Sequence, residues 1–160
     1  MNLLDKLLEN YQSFEEIQIK DRFFKHNLIC ELLDSIKSNK VFGIEEVGLS
    51  TMGRSIHLVK WGNGPCKVFL WSQMHGNEAT ATMALIDLLN FLSQNGLYNE
   101  IIDSIDKNCT LYILPMLNPD GVINGNYRCS LAGCLCPSVP RKAVVPSVSS
   151  QCKNNDECQS

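Results

Sequence analysis

Cys66-Lys67-Val68-Phe69-Leu70-Trp71-Ser72-Gln73-Met74-His75-Gly76-Asn77-Glu78 is the stretch that decides the fold. Its first six residues are a short apolar run broken only by Lys67, and Gly62-Asn63-Gly64-Pro65 interrupts the chain just before it. A run of that kind predicts a buried strand. A helix is expected from about Glu78 to Leu92, with Ala81, Ala84, Leu85, Leu88, Leu89 and Leu92 leaving little of its surface polar. A second helical stretch, Asn99 to Asp106, leads into another buried strand, Cys109-Thr110-Leu111-Tyr112-Ile113-Leu114. Strand, helix, strand is a βαβ unit, which implies a parallel pair and an α/β fold.

Upstream, Phe42 to Leu49 and Ser55 to Trp61 read as two strands of a hairpin, joined by Ser50-Thr51-Met52-Gly53, where glycine supplies backbone freedom. The sheet is therefore mixed: an antiparallel hairpin followed by parallel strands. Before it, Leu3, Leu4, Leu7, Leu8 and Tyr11 fall on one helical face, Ser13 and Glu16 make a capping box, and Leu28, Ile29, Leu32, Leu33 and Ile36 form another stripe. Residues 1–40 are thus expected to be a helical packing or docking segment. Downstream of Gly133, Pro137, Pro140, Pro146 and scattered polar residues carry no sustained period, so 134–160 reads as an irregular tail rich in Cys, Pro and Ser.

The 160 residues fit one domain, and 44% hydrophobic content is enough for a core. Net charge is −3 with no basic run, which argues against nucleic acid as a partner. No apolar run reaches the roughly 18 residues of a membrane span. The leucines near Met1 are interrupted by charges, unlike a signal peptide, so a cytoplasmic location is expected. Cysteines there stay reduced. Cys30, Cys66, Cys109 and Cys129 then read as small core residues, while Cys134, Cys136, Cys152 and Cys158 crowd into the tail. The sequence carries no signal for an oligomeric state.

Ligands bind at strand ends in open α/β sheets. The strand ending at Trp71 runs into His75 and Glu78, spaced i, i+3 at the entry to a helix. An imidazole nitrogen and a carboxylate suit zinc, and this spacing lets both face one ion. A His-x-x-Glu tetrapeptide is common by chance, so its weight comes from its place after the strand. Gly76 is read as giving the turn backbone freedom. Arg128 reads from chemistry alone equally as a surface arginine paired with a carboxylate or as a functional cation. His57, among Ile56, Leu58 and Trp61, reads as a strand-face histidine with a local hydrogen bond rather than a ligand.

Three motifs come in order: Gly48-Leu49-Ser50-Thr51-Met52-Gly53-Arg54-Ser55-Ile56, Met74-His75-Gly76-Asn77-Glu78, and Pro115-Met116-Leu117-Asn118-Pro119-Asp120-Gly121. Together they resemble the carboxypeptidase A-like zinc carboxypeptidases. Gly125-Asn126-Tyr127-Arg128-Cys129-Ser130-Leu131-Ala132-Gly133 is similar to the cytosolic carboxypeptidase branch, whose members trim glutamates from protein tails such as those of tubulin. The resemblance runs from about Phe42 to Gly133, so 41–133 is expected to be a partial zinc carboxypeptidase domain. It implies the N-terminal half of an α/β/α sandwich with a mixed central sheet. It also implies a Zn2+ cofactor held by His75 and Glu78, with Arg128 stabilising the oxyanion. The substrate would be the C-terminus of a peptide or protein, hydrolysed by zinc-activated water. Asn118-Pro119-Asp120-Gly121 is expected to be a turn without catalytic work.

The resemblance also shows what is absent. The family's Asp-Leu-Asn-Arg segment, whose Asn-Arg pair grips the substrate carboxylate, is replaced after Gly133 by Cys134-Leu135-Cys136-Pro137-Ser138. The only histidines are His26, His57 and His75, so a third, downstream zinc histidine has no counterpart, and neither does the general-base glutamate. A truncated or altered product, weakly active or inactive, is the expectation. Two other readings stay open: an aspartoacylase-like or succinylglutamate desuccinylase-like zinc amidohydrolase, whose loops also carry His-Gly-Asn-Glu, and a non-catalytic binding fragment.

Overall fold

The computed structural model describes residues 2–38, 40–94 and 96–124, with 123 and 124 described by backbone alone. In chain order they form α1 (Leu3–Glu9), a 3-10 turn (Tyr11–Ser13), α2 (His26–Lys37), β1 (Gly43–Leu49), β2 (Ser55–Trp61), β3 (Cys66–Trp71), α3 (Thr80–Leu92), α4 (Asn99–Asn108), β4 (Cys109–Leu114) and α5 (Pro119–Asn124). The four strands make one mixed sheet in the order β1-β2-β4-β3. β1 pairs β2 antiparallel as the hairpin, β2 pairs β4 antiparallel, and β3 pairs β4 parallel from Cys66↔Cys109 to Trp71↔Leu114. The βαβ unit expected from the period switch is therefore present.

Register assigns the two faces of this sheet, because side chains alternate along a strand. Ile44, Val59, Ile113 and Leu70 lie in one row, and Trp61, Leu111 and Val68 in the next. All of them belong to a single core with Ile29, Leu32 and Leu33 of α2, Ile86 and Leu89 of α3 and Ile102 of α4. The opposite face carries Ile56, Leu58, Tyr112, Leu114, Phe69 and Trp71, none of which belongs to that core. Phe69 and Trp71 stack on one another with ring centroids 5.4 Å apart, and each is 52% exposed. β3 was read as a buried strand. It lies instead at the edge of the described sheet, and β4, between two neighbours, is the buried one.

The N-terminal segment differs from its sequence reading in two ways. Ser13 and Glu16 start no helix; Ser13 closes the 3-10 turn. Glu16 is used elsewhere. Its carboxylate accepts from Gln18 N–H and the Asn90 amide, while its own N–H donates to Asp87 of α3. Tyr11 also donates to the Asp87 carboxylate. Phe14, Ile19 and Phe24 are buried, so this irregular stretch docks by side chains without helical order. The leucine face of α1 is largely uncovered, with Leu3, Leu4 and Leu8 exposed and Leu7 packing on the core. Among the described residues no helix is long and apolar enough to cross a membrane.

Candidate metal centre

Parallel pairing of β3 and β4 brings both strands to an end on the same side of the sheet, at Trp71 and Leu114. The two outgoing loops then stay together. Ser72 N–H donates to Leu114 O (3.1 Å), Leu117 N–H to Ser72 O (3.0 Å) and Asn118 N–H to Gln73 O (2.9 Å). The Asn118 side-chain amide donates to Met74 O at 3.1 Å. Gln73 has φ 46°, in the left-handed region, which side chains other than those of Gly, Asn and Asp rarely adopt. The chain then turns sharply: Glu78 N–H donates to His75 O at 3.0 Å, closing His75-Gly76-Asn77-Glu78. Helix α3 begins two residues after Glu78, at Thr80.

Asn118-Pro119-Asp120-Gly121 opens a helix where a turn was expected. Asn118 accepts the Gly121 N–H at 3.0 Å as a cap, and Pro119 takes the first position of α5, where a missing N–H costs nothing. This places the Gly121 backbone against the His75–Glu78 turn. A Cβ on Gly76 would lie 2.0 Å from the Gly121 carbonyl carbon and 2.4 Å from Val122 N. Gly76 is not among the glycines with positive φ. It is therefore required for the close approach of two backbones, and the backbone freedom read from the sequence is not what the turn uses.

Asp120 ties a third segment to this assembly. Its carboxylate accepts from Ser50 Oγ (2.8 Å), Met52 N–H (3.0 Å) and Arg54 Nη1 (2.5 Å). Ser50 Oγ in turn accepts from Arg54 N–H, and the β1–β2 turn closes through Gly53, at φ 75°. The hairpin motif and the Asn-Pro-Asp-Gly motif are thus two halves of one ion-paired joint. Asp120 was assigned no role from sequence. Spacing along the chain does not show that Arg54 and Asp120, 66 residues apart, meet.

His75 is half-buried, and its Nδ1 is the one buried side-chain nitrogen or oxygen among the described residues without a hydrogen-bond partner. Glu78, three residues on, is exposed to solvent. Buried polar atoms are almost always paired, so an orphaned imidazole nitrogen calls for a partner that the described residues do not provide.

The zinc carboxypeptidase (peptidase M14) family profile matches residues 29–134. This chain belongs to the zinc carboxypeptidase family. Human cytosolic carboxypeptidase 1 is 33% identical over 111 residues, 69% of this chain and 8% of that protein. The chicken cytosolic carboxypeptidase 1 is 39% identical over 114 residues, again 69% of this chain and 8% of the relative. Among solved structures, a metallo-carboxypeptidase from Burkholderia cenocepacia shares the fold, with TM-score 0.60, 22% identity, and coverage of 66% of this chain and 30% of that one. The Pseudomonas aeruginosa metallo-carboxypeptidase gives TM-score 0.53 at 26% identity, covering 66% and 28%. The chain therefore spans about a tenth or less of these curated relatives and under a third of these solved carboxypeptidases.

Membership in a zinc carboxypeptidase family makes zinc the ion to test against the residues present. They fit it in part. His75 offers a partnerless nitrogen and Glu78 a carboxylate on the same turn. A catalytic zinc usually takes three protein ligands. Among the described residues no group of three or more His, Cys, Asp or Glu is arranged to hold a metal. His57 is a strand-face residue as expected, in a small pocket with His26, Ser55, Pro115 and Met116, and burial lowers its pKa below the usual histidine value. The described residues give its ring no hydrogen-bond partner, contrary to the local bond expected. The nearby His26 ring instead bonds Ser55 O at 2.8 Å. Arg128 lies outside the described residues, as do Cys134 and Cys136.

Proposed function

We propose that residues 41–133 are the N-terminal part of a zinc carboxypeptidase domain that releases C-terminal residues from peptides or proteins. His75 and Glu78 would provide two of its zinc ligands and Arg128 its oxyanion-stabilising cation. The observation that carries this is the buried His75 Nδ1 with no partner among the described residues, on a turn shared with Glu78 at the end of a parallel strand. Zinc bound there would supply a Lewis acid for the scissile carbonyl and a water acidic enough to react at neutral pH. His75 would donate its neutral Nδ1 lone pair to the ion, and Glu78 its carboxylate. The Arg128 guanidinium would sit where negative charge develops on the carbonyl oxygen. Residues 1–40 would dock on the domain and 134–160 would be an irregular extension. The resemblance to cytosolic carboxypeptidases supports a cytoplasmic location and peptide or protein C-termini as substrates.

The 160-residue chain by itself is expected to hold zinc weakly and to hydrolyse peptides poorly or not at all. Two protein ligands leave the ion mostly hydrated. Loss of even outer partners of a metal site costs about 10–100-fold in affinity or activity. The test is the purified chain with added zinc, assayed on peptides ending in glutamate and in apolar residues, beside His75→Ala. Metal binding lost in His75→Ala supports the site. Metal binding unchanged by that substitution removes it. Robust zinc-dependent release of C-terminal residues would overturn the expectation of low activity.

A further inference from the structure

We propose that Gln73 and Thr82 are positioning residues that hold the His75–Glu78 turn in the shape that receives a metal. The inference rests on the reading of His75 and Glu78 as ligands and goes beyond it, to the residues that set their geometry.

Gln73 is the one described non-glycine residue with a positive φ, 46°. It is also 3% exposed. Left-handed backbone at a residue other than Gly, Asn or Asp is unfavourable, and such strain persists only where the surroundings enforce it. Burying a primary amide adds a second cost unless its bonds are made. Here they are made. Gln73 Nε2 donates to Gly76 O at 3.0 Å. Its Oε1 lies 2.9 Å from Thr82 Oγ1. The carbonyl of Gly76 fixes which end of the amide is nitrogen, because that position needs a donor.

Thr82 is 0% exposed, in the first turn of α3. Its hydroxyl lies 2.7 Å from Pro115 O, 2.9 Å from Gln73 Oε1 and 3.0 Å from Ser72 Oγ. A hydroxyl has one proton and can accept twice. Thr82 therefore shares its proton between Pro115 O and Gln73 Oε1, and Ser72 donates to it. The path runs from the loop after β4, through the helix that follows the turn, to Gly76 inside the turn itself. Gly76 lies between the two candidate ligands. A role confined to core packing would be met by an apolar pair without strain or buried polar atoms. The arrangement instead sends the amide to a backbone carbonyl of the turn, and His75 Nδ1 stays without a partner among the described residues.

The experiment uses the full chain and two readouts. The first, without metal, is hydrogen exchange at the Glu78 amide, whose bond to His75 O closes the turn. The second is cobalt(II) titration followed by its d–d absorption. Gln73→Gly is the key variant, because glycine tolerates the left-handed backbone while the side-chain bonds, with their buried volume, are lost. Thr82→Val removes the hydroxyl at nearly constant volume, and Thr82→Ser restores it. Gln73→Gly and Thr82→Val are expected to speed Glu78 exchange and to weaken cobalt binding by about 10–100-fold, with Thr82→Ser near the parent. Exchange and affinity both unchanged in Gln73→Gly overturn the proposal, as does Thr82→Ser behaving like Thr82→Val. Faster exchange with unchanged cobalt affinity overturns it also, since the clamp then does not serve the metal. His75→Ala separates the two ideas. If cobalt binding survives His75→Ala, or the parent chain binds no cobalt, the ligand reading falls, and Glu78 exchange alone decides whether Gln73 and Thr82 shape the turn.

Discussion

Asp120→Ala weighs the joint between the hairpin and the α5 segment that packs on the His75–Glu78 turn. Asp120 is 6% exposed, and the Arg54 side chain is 23% exposed. Removing the carboxylate leaves a mostly buried guanidinium unpaired and strips the acceptor from Ser50 Oγ and Met52 N–H. Breaking a buried pair from one side costs about 3–5 kcal/mol, because the remaining charge is stranded. The residual exposure of Arg54 lets water reach part of it, which places the expected loss near the lower end, about 3 kcal/mol. Asp120→Asn keeps an acceptor oxygen and loses the charge, so about 1.5–3 kcal/mol is expected, the worth of a charged hydrogen bond. Against a total stability of about 5–15 kcal/mol, the alanine variant is a large perturbation. Urea unfolding followed by circular dichroism, with a slope of about 1–3 kcal/mol/M, should show the midpoint falling by about 1–3 M for Asp120→Ala and by less for Asp120→Asn. Arg54→Met completes a double-mutant cycle. A coupling energy below about 0.5 kcal/mol, the scatter expected for independent sites, would refute the claim that this ion pair joins the two motifs.

Two further outcomes follow from contacts on either side of α3. Gly76→Ala drives a Cβ into the Gly121 backbone, with only main-chain atoms to yield. Overpacking of this kind costs about 1–3 kcal/mol. A domain of this size loses about 2–4 °C of Tm per kcal/mol, and a melting temperature within a degree of the parent would contradict the close approach. Tyr11 is pushed up to about 12, first by its hydrogen bond to the Asp87 carboxylate, then by burial and by the charges of Asp87 and Glu15. Its folded pKa lies above the unfolded one, so the stabilisation is fully present below about pH 10 and is lost as pH rises through about 12. Ultraviolet titration of tyrosinate should show one late-titrating tyrosine that moves toward 10 in Asp87→Asn; an unchanged profile would rule out the pairing.

The βαβ unit and the hairpin were legible in the sequence because period carries that information locally. The bounds Ser55–Trp61, Cys66–Trp71 and Cys109–Leu114 follow directly from apolar runs set between breakers. Burial was less legible. Cys66–Trp71 and Cys109–Leu114 have the same apolar look, yet order β1-β2-β4-β3 gives one an edge and the other two neighbours. Strand order depends on long-range pairing, which a run of side chains does not encode. The capping-box pattern at Ser13 and Glu16 misled for a related reason: Asp87 and Asn90, more than 70 residues away, take the backbone N–H and carboxylate that a helix start would have used. At the site, the sequence indicated His75 and Glu78 by their place after a strand. It gave no sign that Gln73 adopts a left-handed backbone or that Gly76 faces Gly121, since both depend on how the loop after β4 comes to rest.

The turn and the sheet stand on different physical footings. Among the described residues, His75-Gly76-Asn77-Glu78 is shaped by contacts from several segments: Gln73 and Thr82 flanking it, Asn118 and the close-packed Gly121 backbone beneath it, and Arg54 holding Asp120 from the hairpin. The sheet face bearing Phe69 and Trp71 differs. Two large stacked aromatic rings, each half-exposed on an edge strand, leave apolar area in water that burial would reward by about 25 cal/mol per Å2. Nothing among the described residues collects that reward, whereas the core face of the same strand buries Val68 and Leu70 against the helices. Among the described residues, the His75–Glu78 turn is therefore braced by polar contacts while the outer face of β3 is left in water.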